Sequence, residues 1–251
     1  MSGHSHWSGI KRKKEREDKK KGKAFTRCAK AIMSATRRGG KDPDTNLELQ
    51  YAIEAAKAAN MPKDTIERAI LKAAGELPGQ AVEAVRYEAY GCGGAAVMVD
   101  VLTDNRNRTT PNLRRIFEDH GGKLGTSGCA ARNFETKGLL VVDIGDRDEA
   151  EVFDLVVEAG VEDFQPSAGA YEIVCPAGEF KKVMDALRAA GIECESAEIT
   201  EVPVSYVNVS SEEGRRIVKM MERLEENEDV TNVYSNFSLP EELVAEMLKE
   251  S

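Results

Sequence analysis

The residues best suited to chemistry crowd the start of the chain. Trp7 and two of the three histidines, His4 and His6, precede a run that opens Lys11-Arg12-Lys13-Lys14, and residues 1–40 hold thirteen Lys and Arg against three acids. A lysine or arginine that meets a phosphate releases condensed counterions and gains affinity that it cannot gain in water alone. An indole can stack on an unpaired base without reading its identity, or dock on the protein's own surface. Both uses are open to Trp7. The whole chain carries −9, so the first forty residues carry +10 and residues 41–251 carry −19. A basic arm on an acidic body points to a polyanion; the alternative is a solvated tail that aids solubility. The spacing of His4 and His6 suits a metal ligand pair, but no neighbouring Cys or His completes a tetrahedral set.

Chemistry of other kinds finds little support. His120 is the one histidine outside the arm, and it precedes Gly121-Gly122, where a helix C-terminal cap is expected. Ser8-Gly9-Ile10-Lys11 fits S-x-x-K formally but lacks its companion motifs, and no zinc-protease, nucleophile-elbow or P-loop pattern occurs. The glycines of Gly91-Cys92-Gly93-Gly94 lie between two strand patterns and predict a hairpin turn, and Gly121–Gly128 predicts a turn leading into strands. The cysteines, Cys28, Cys92, Cys129, Cys175 and Cys194, are odd in number and scattered, so buried free thiols are expected rather than disulfides or zinc. No cofactor and no catalytic residue is expected. Thr103 to Pro111 places Arg106 and Arg108 where a helix begins, which suits a phosphate; an ordered loop pairing Asp104 with an arginine is the equal alternative.

These side chains need elements to hold them. From Lys23 to Arg38, helical spacing gathers Phe25, Ala29, Ile32, Met33 and Thr36 on one side and Lys23, Arg27, Lys30, Arg37 and Arg38 on the other. Two more helices are predicted: 44–59, capped by Asp44 or Thr45 with Leu47, Tyr51, Ile53 and Ala55 apolar, and one with Pro62 in its first turn, Ile66, Ala69, Ile70 and Ala73 inward, and a stop at Gly75. Leu77-Pro78-Gly79 reads as a linker. Strands are expected at Val85–Tyr90 and Ala95–Leu102, then a helix from Thr110-Pro111. Residues 138–200 repeat strand, helix, strand: Leu139–Ile144, Glu149–Ala159 and Val161–Phe164, then Tyr171–Cys175, Glu179–Ala190 and Ser196–Thr200, a ferredoxin-like arrangement. Phe153, Val156, Val157, Phe180, Val183, Met184 and Leu187 are its expected core. A strand near Val204–Val209, a helix from Ser211 with Ile217, Met220, Met221 and Leu224 inward, and a strand near Val230–Tyr234 complete the sheet begun at Val85.

The expected fold is therefore α+β and multidomain: a basic arm over 1–22, a three-helix bundle over 23–77, an α/β-sandwich domain over 82–137 plus 204–251, and a second such domain, ferredoxin-like, inserted over 138–203. Asp146 to Asp163 carries eight acids against one arginine, a solvated helix face or a dock for a basic protein such as a ribosomal one. No apolar run approaches the roughly 18 residues of a membrane span. Glu15, Glu17 and Asp18 argue against a mitochondrial presequence, so a cytoplasmic protein is expected.

Long stretches in order now converge. Gly3-His4-Ser5-His6-Trp7-Ser8-Gly9-Ile10-Lys11, Gly22-Lys23-Ala24-Phe25-Thr26, Ala58 to Ile70, Leu102 to Thr109 and Asn232-Val233-Tyr234-Ser235-Asn236-Phe237 strongly resemble the YebC/PmpR family. The resemblance implies three domains, one inserted in another, no enzymatic activity, and DNA-binding transcriptional regulation, with mitochondrial relatives acting as translational activators at the ribosome. Cys92 stands where that family commonly has Pro, Thr110-Pro111-Asn112 replaces a more acidic helix start, and Cys129–Asn133 replaces a Ser- and Trp-containing segment. The expected nucleic-acid contacts are Trp7, Lys11, Arg12, Lys13, Lys14, Lys19, Lys20, Lys21, Lys23, Arg27, Lys30, Arg37, Arg38, Arg106 and Arg108, to DNA or, as the alternative, to rRNA or tRNA.

Overall fold

A computed structural model describes residues 21–76, 83–143, 149–167 and 169–250. They form two compact units, one of residues 21–133 and 207–240, the other of 134–206 and 241–250. The predicted linker at 77–79 lies outside the described residues.

The first unit begins with three helices, α1 (Lys21–Gly39), α2 (Leu47–Ala58) and α3 (Lys63–Ala74). Ile32 and Ala35 of α1 meet Leu49, Ala56, Met61, Ile66 and Ala69 in one core, and Phe25, Ala29 and Met33 pack against it as the spacing predicts. The cap of α2 is Asn46 rather than Asp44 or Thr45. Its Oδ1 accepts from Leu49 N at 3.1 Å while its Nδ2 donates to the carbonyls of Ala35 (2.9 Å) and Gly40 (2.7 Å). One side chain thus closes the end of α1 and opens α2, which a solvent-facing Asp44 cannot do. Of the apolar positions expected in α2, Ala55 is exposed; Leu49 and Ala56 are the buried pair. Pro62 stands at the N-cap with extended backbone, one residue before the predicted first turn, and Gly75 ends α3 at φ +75.

Beyond the helices, β1 (Glu83–Tyr90) and β2 (Ala96–Thr103) pair antiparallel around a 3₁₀ turn at Cys92–Gly94, so the four-residue glycine stretch is a hairpin turn. The sheet runs β3 (Lys123–Leu124), β1, β2, β9 (Val230–Ser235), all antiparallel. Helix α4 spans Arg106–Asp119 with Asn105 as its cap, five residues ahead of the predicted cap Thr110, and Pro111 lies inside it. Asn105 Oδ1 accepts from Arg108 N at 3.2 Å, a stronger start signal than Thr110. Leu113 and Phe117 of α4 and Ile217, Met220, Met221 and Leu224 of α7 (Ser211–Glu225) are fully buried. Only Val207–Asn208 (β8) of the expected 204–209 strand is extended, paired in parallel with β10 (Phe237–Ser238). Ala73 of α3, Leu102 of β2 and Met33 of α1 pack together, joining helices to sheet. The segment after β3 is held by Glu88, a buried β1 carboxylate that accepts from the backbone N–H of Gly128 (2.6 Å), Ala130 (2.6 Å) and Ala131 (2.8 Å).

The second unit carries β4 (Phe134–Asp143), α5 (Glu149–Ala159), β5 (Asp163–Ser167), β6 (Ala170–Pro176), α6 (Phe180–Ala189) and β7 (Cys194–Pro203), with antiparallel strands in the order β5-β6-β4-β7. Both domains are therefore antiparallel sheets with helices. The end of the first predicted strand, Ile144, lies outside the described residues. Gly138 is required by close packing: a Cβ there would stand 2.6 Å from the Phe180 ring and 2.7 Å from Cys175 Sγ. Phe180, Val183, Met184 and Leu187 are buried as expected, but Phe153 and Val157 are 45 % and 48 % exposed. The inward stripe of α5 is Val152, Val156 and Ala159, at i, i+4 and i+7, and Phe153 and Val157 lie about 100° around from it. The expectation of buried thiols holds for Cys175 alone; Cys28, Cys92, Cys129 and Cys194 are half-buried. α8 (Glu241–Glu250) belongs to this unit.

Candidate nucleic-acid interface

The basic side of α1 is built from Lys30, Ser34, Arg37 and Arg38, which follow one another at helical spacing. Lys30 does not project freely. Its Nζ donates to the carbonyls of Glu225 (3.1 Å) and Asn227 (2.8 Å), where α7 ends and leaves carbonyls without helical partners. One turn on, Ser34 Oγ accepts from Asn232 Nδ2 of β9 at 2.9 Å. A further turn on, Arg38 donates to Ser34 Oγ at 3.3 Å and pairs with Glu48 of α2. The 30–34–38 line is thus a seam that ties α1 to its neighbours, with the outer edge of Arg38 and the exposed Arg37 beside it.

At the start of α4, Arg108 Nη2 lies 3.0 Å from Asp104 Oδ1 and 3.0 Å from both carboxylate oxygens of Asp229. The Asp229 hydrogen bond, then its charge, raises the guanidinium pKa above its ordinary value. Thr109 Oγ1 donates to the same carboxylate at 2.6 Å. Arg106 is different: its nearest acid is Glu83 at 3.8 Å, and it lines an open cavity of about 490 Å³ with Asn107, Thr110 and Pro111. Arg114, one helical face-repeat further, is exposed on the same side of α4.

Lys30 and Arg108 therefore converge on one turn, 225–229, Lys30 through its carbonyls and Arg108 through Asp229. Lys30 is used internally, and Arg108 is held by two carboxylates while staying exposed; Arg37, Arg38 and Arg106 are exposed as well. Lys21, Lys23 and Arg27 have their backbone in α1, with their side chains outside the described part, and Trp7, Lys11, Arg12, Lys13, Lys14, Lys19 and Lys20 lie outside the described residues altogether. Sequence reasoning missed Asp229 and the 225–227 carbonyls, nearly two hundred residues from Lys30, and nothing local marks them. It also missed Arg114, which the i, i+4, i+8 spacing from Arg106 would have revealed once the helix start was set at Arg106.

Among the described residues, the cysteines and His120 do not assemble a reactive site. Burial pushes the Cys175 and Cys194 thiols up to about 11, away from the thiolate that nucleophilic chemistry needs. Burial and the Glu88 charge raise Cys129 as well. His120 caps α4, its Nδ1 2.8 Å from the Ile116 carbonyl. Among the described residues no helix is long and apolar enough to cross a membrane.

Comparison with known proteins gives a family. Residues 5–76 match the TACO1/YebC protein N-terminal domain, and residues 82–237 match the TACO1/YebC second and third domain. A protein of Dictyoglomus turgidum named "Probable transcriptional regulatory protein" is 45% identical over 97% of this chain and 98% of its own length. One of the same name from Treponema pallidum is 46% identical over 97% of this chain and its entire length. A crystal structure of the Aquifex aeolicus protein Aq1575, described as a hypothetical protein, superposes with a TM-score of 0.80 at 44% identity, covering 89% of this chain and 93% of its own. With both of its parts matched in order along nearly the whole length, the chain belongs to the TACO1/YebC family, a non-enzymatic family.

Proposed function

We propose that this protein is a nucleic-acid-binding regulator of gene expression that acts on DNA as a transcriptional regulator. The observation that carries this reading is the charge segregation, +10 in residues 1–40 against −19 in the remainder. The arm follows the phosphate backbone, the outer edge of α1 adds Arg37 and Arg38, and α4 adds Arg106 at its start and Arg114 about two turns further along. Relatives named as transcriptional regulatory proteins support the choice of duplex DNA. Lys30 and Arg108 serve the interface by holding α1 and α4 to one turn rather than by touching phosphate. The division into a basic arm (1–22), helical domain (23–77), α+β domain (82–137 plus 204–251) and inserted domain (138–203) is part of the proposal. The strand order β5-β6-β4-β7 supports a ferredoxin-like reading of the inserted part. The protein works in the cytoplasm.

In-cell crosslinking with sequencing of bound DNA and bound RNA tests the reading. Enrichment at promoters is expected; enrichment of rRNA, with co-sedimentation on ribosomes that survives rising salt, would overturn it in favour of a translation factor.

A further inference from the structure

Helix α5 carries three stripes side by side. Val152, Val156 and Ala159 are buried; Phe153 and Val157, about 100° around, are 45 % and 48 % exposed; Asp154 and Glu158, about 100° further, are exposed with Glu151 beside them. The domain's own packing takes the first stripe. The second is nevertheless anchored from below: the Phe153 ring stands edge-on to Phe164 of β5 at 5.6 Å, and Phe164 stacks at 4.9 Å on the buried Tyr171. Phe153 is therefore a braced ring left half-exposed, and a braced aromatic surrenders little conformational freedom when a partner covers it. The third stripe has no cation in its own helix. Residues 149–159 hold four acids and neither lysine nor arginine, so no i,i+4 pair within α5 offsets their charge.

We propose that the Phe153–Val157 stripe docks a basic amphipathic helix of another protein, which lays apolar side chains on Phe153 and Val157 and sets Lys or Arg against Asp154 and Glu158. Charge selects the occupant. A second copy of this chain would bring the same acidic stripe against itself across a two-fold axis, where like charges oppose association. Nucleic acid and anionic lipid are turned away by the same carboxylates. A helix suits the shape, because a ridge of side chains four residues apart interlocks with the ridges of another helix. Lysines on that partner can lie with their methylene stems over the Phe153 edge while their ammonium groups reach the acids. The stripe shares no residue with the nucleic-acid interface, so the two readings stand or fall separately.

The test installs the photocrosslinking residue p-benzoylphenylalanine at Val157 of the full-length chain in the cells that make it, with a control at Leu71, an exposed apolar residue of α3. Mass spectrometry identifies the captured segments, and each is then synthesised as a peptide and titrated against the purified protein. Captured segments are expected to come from another protein, to carry net positive charge with apolar residues three or four apart, and to be absent from the Leu71 control. Phe153→Ser should weaken the peptide at least tenfold. Asp154→Asn/Glu158→Gln should weaken it at least fivefold at low salt, a difference that shrinks as salt rises. Crosslinks only to further copies of this chain, to nucleic acid or to lipid would overturn the proposal. So would segments without net positive charge, yields no higher than at Leu71, or a peptide whose affinity ignores both variants. Thermal melts verify folding; if Phe153→Ser does not fold, Val157→Ser on the same stripe gives the apolar reading in its place.

Discussion

Glu88 shows how a single carboxylate can set local structure. Burial opposes its charge, yet N–H donors from Gly128, Ala130 and Ala131, helped by the charge of Arg86, hold its pKa below the ordinary glutamate value. A group whose folded pKa is depressed stabilises the protein above its unfolded pKa, about 4.3, and loses that contribution as pH falls through the folded value. Glu88→Gln keeps one acceptor oxygen and turns an amide N–H₂ toward backbone donors. It should cost about 2–4 kcal/mol at pH 7. Chemical denaturation from pH 7 to pH 3 should show the difference from wild type narrowing as acid protonates Glu88; a difference that stayed constant would assign the loss to shape rather than charge. Nothing in Arg86-Tyr87-Glu88-Ala89 announced this role, because the three donors arrive from a loop forty residues away.

At the scale of the element, helix joints decide the helical domain. Asn46 is 5 % exposed and makes three hydrogen bonds to two helices and the turn between them. Asn46→Ala should cost about 2–4 kcal/mol, the sum of a lost cap and two carbonyls left short of donors. Asn46→Asp keeps the cap but faces those carbonyls with an acceptor, so it should recover only part of the loss; full recovery in a thermal melt would mean that the donors contribute nothing. The periodicity of α1, α3 and α6 was legible because their buried stripes are unbroken. The phase of α5 was not: Val152, Phe153, Val156 and Val157 offer two adjacent apolar stripes, and only packing onto the sheet selects the first. The start of α4 was misplaced for a related reason, since Thr110-Pro111 is a strong local signal and Asn105 wins through its bond to Arg108 N. That β9 joins the sheet begun at β1 was legible as a leftover strand needing a sheet, but its pairing with β2 was not, and the grip of Lys30 on α7 likewise depends on two elements distant in sequence.

For the whole molecule, the charge imbalance makes salt the most direct probe of how the chain holds a polyanion. Each phosphate contact contributes about 0.9 to the slope of log K against log salt on duplex DNA. Replacing Lys23, Arg27, Lys30, Arg37 and Arg38 together by Gln would mix two effects, because Lys30 satisfies carbonyls at the end of α7. Divided, the effects separate. Lys30→Gln alone should lower stability by about 1–2 kcal/mol, from the loss of charged hydrogen bonds, and leave the slope unchanged. Lys23→Gln, Arg27→Gln, Arg37→Gln and Arg38→Gln together should flatten the slope by up to about 3 units, with the pairing of Arg38 to Glu48 reducing its share, and leave the melting temperature nearly unchanged. Titrations of duplex DNA against the full chain between 50 and 300 mM salt, run beside thermal melts, measure both. If the fourfold variant kept the wild-type slope, the outer edge of α1 would play no part in binding and the arm would have to supply every phosphate contact. If Lys30→Gln changed the slope without changing stability, the seam between α1 and α7 would be open enough in solution for Lys30 to reach the polyanion, and its two carbonyl bonds would not be what holds the helix.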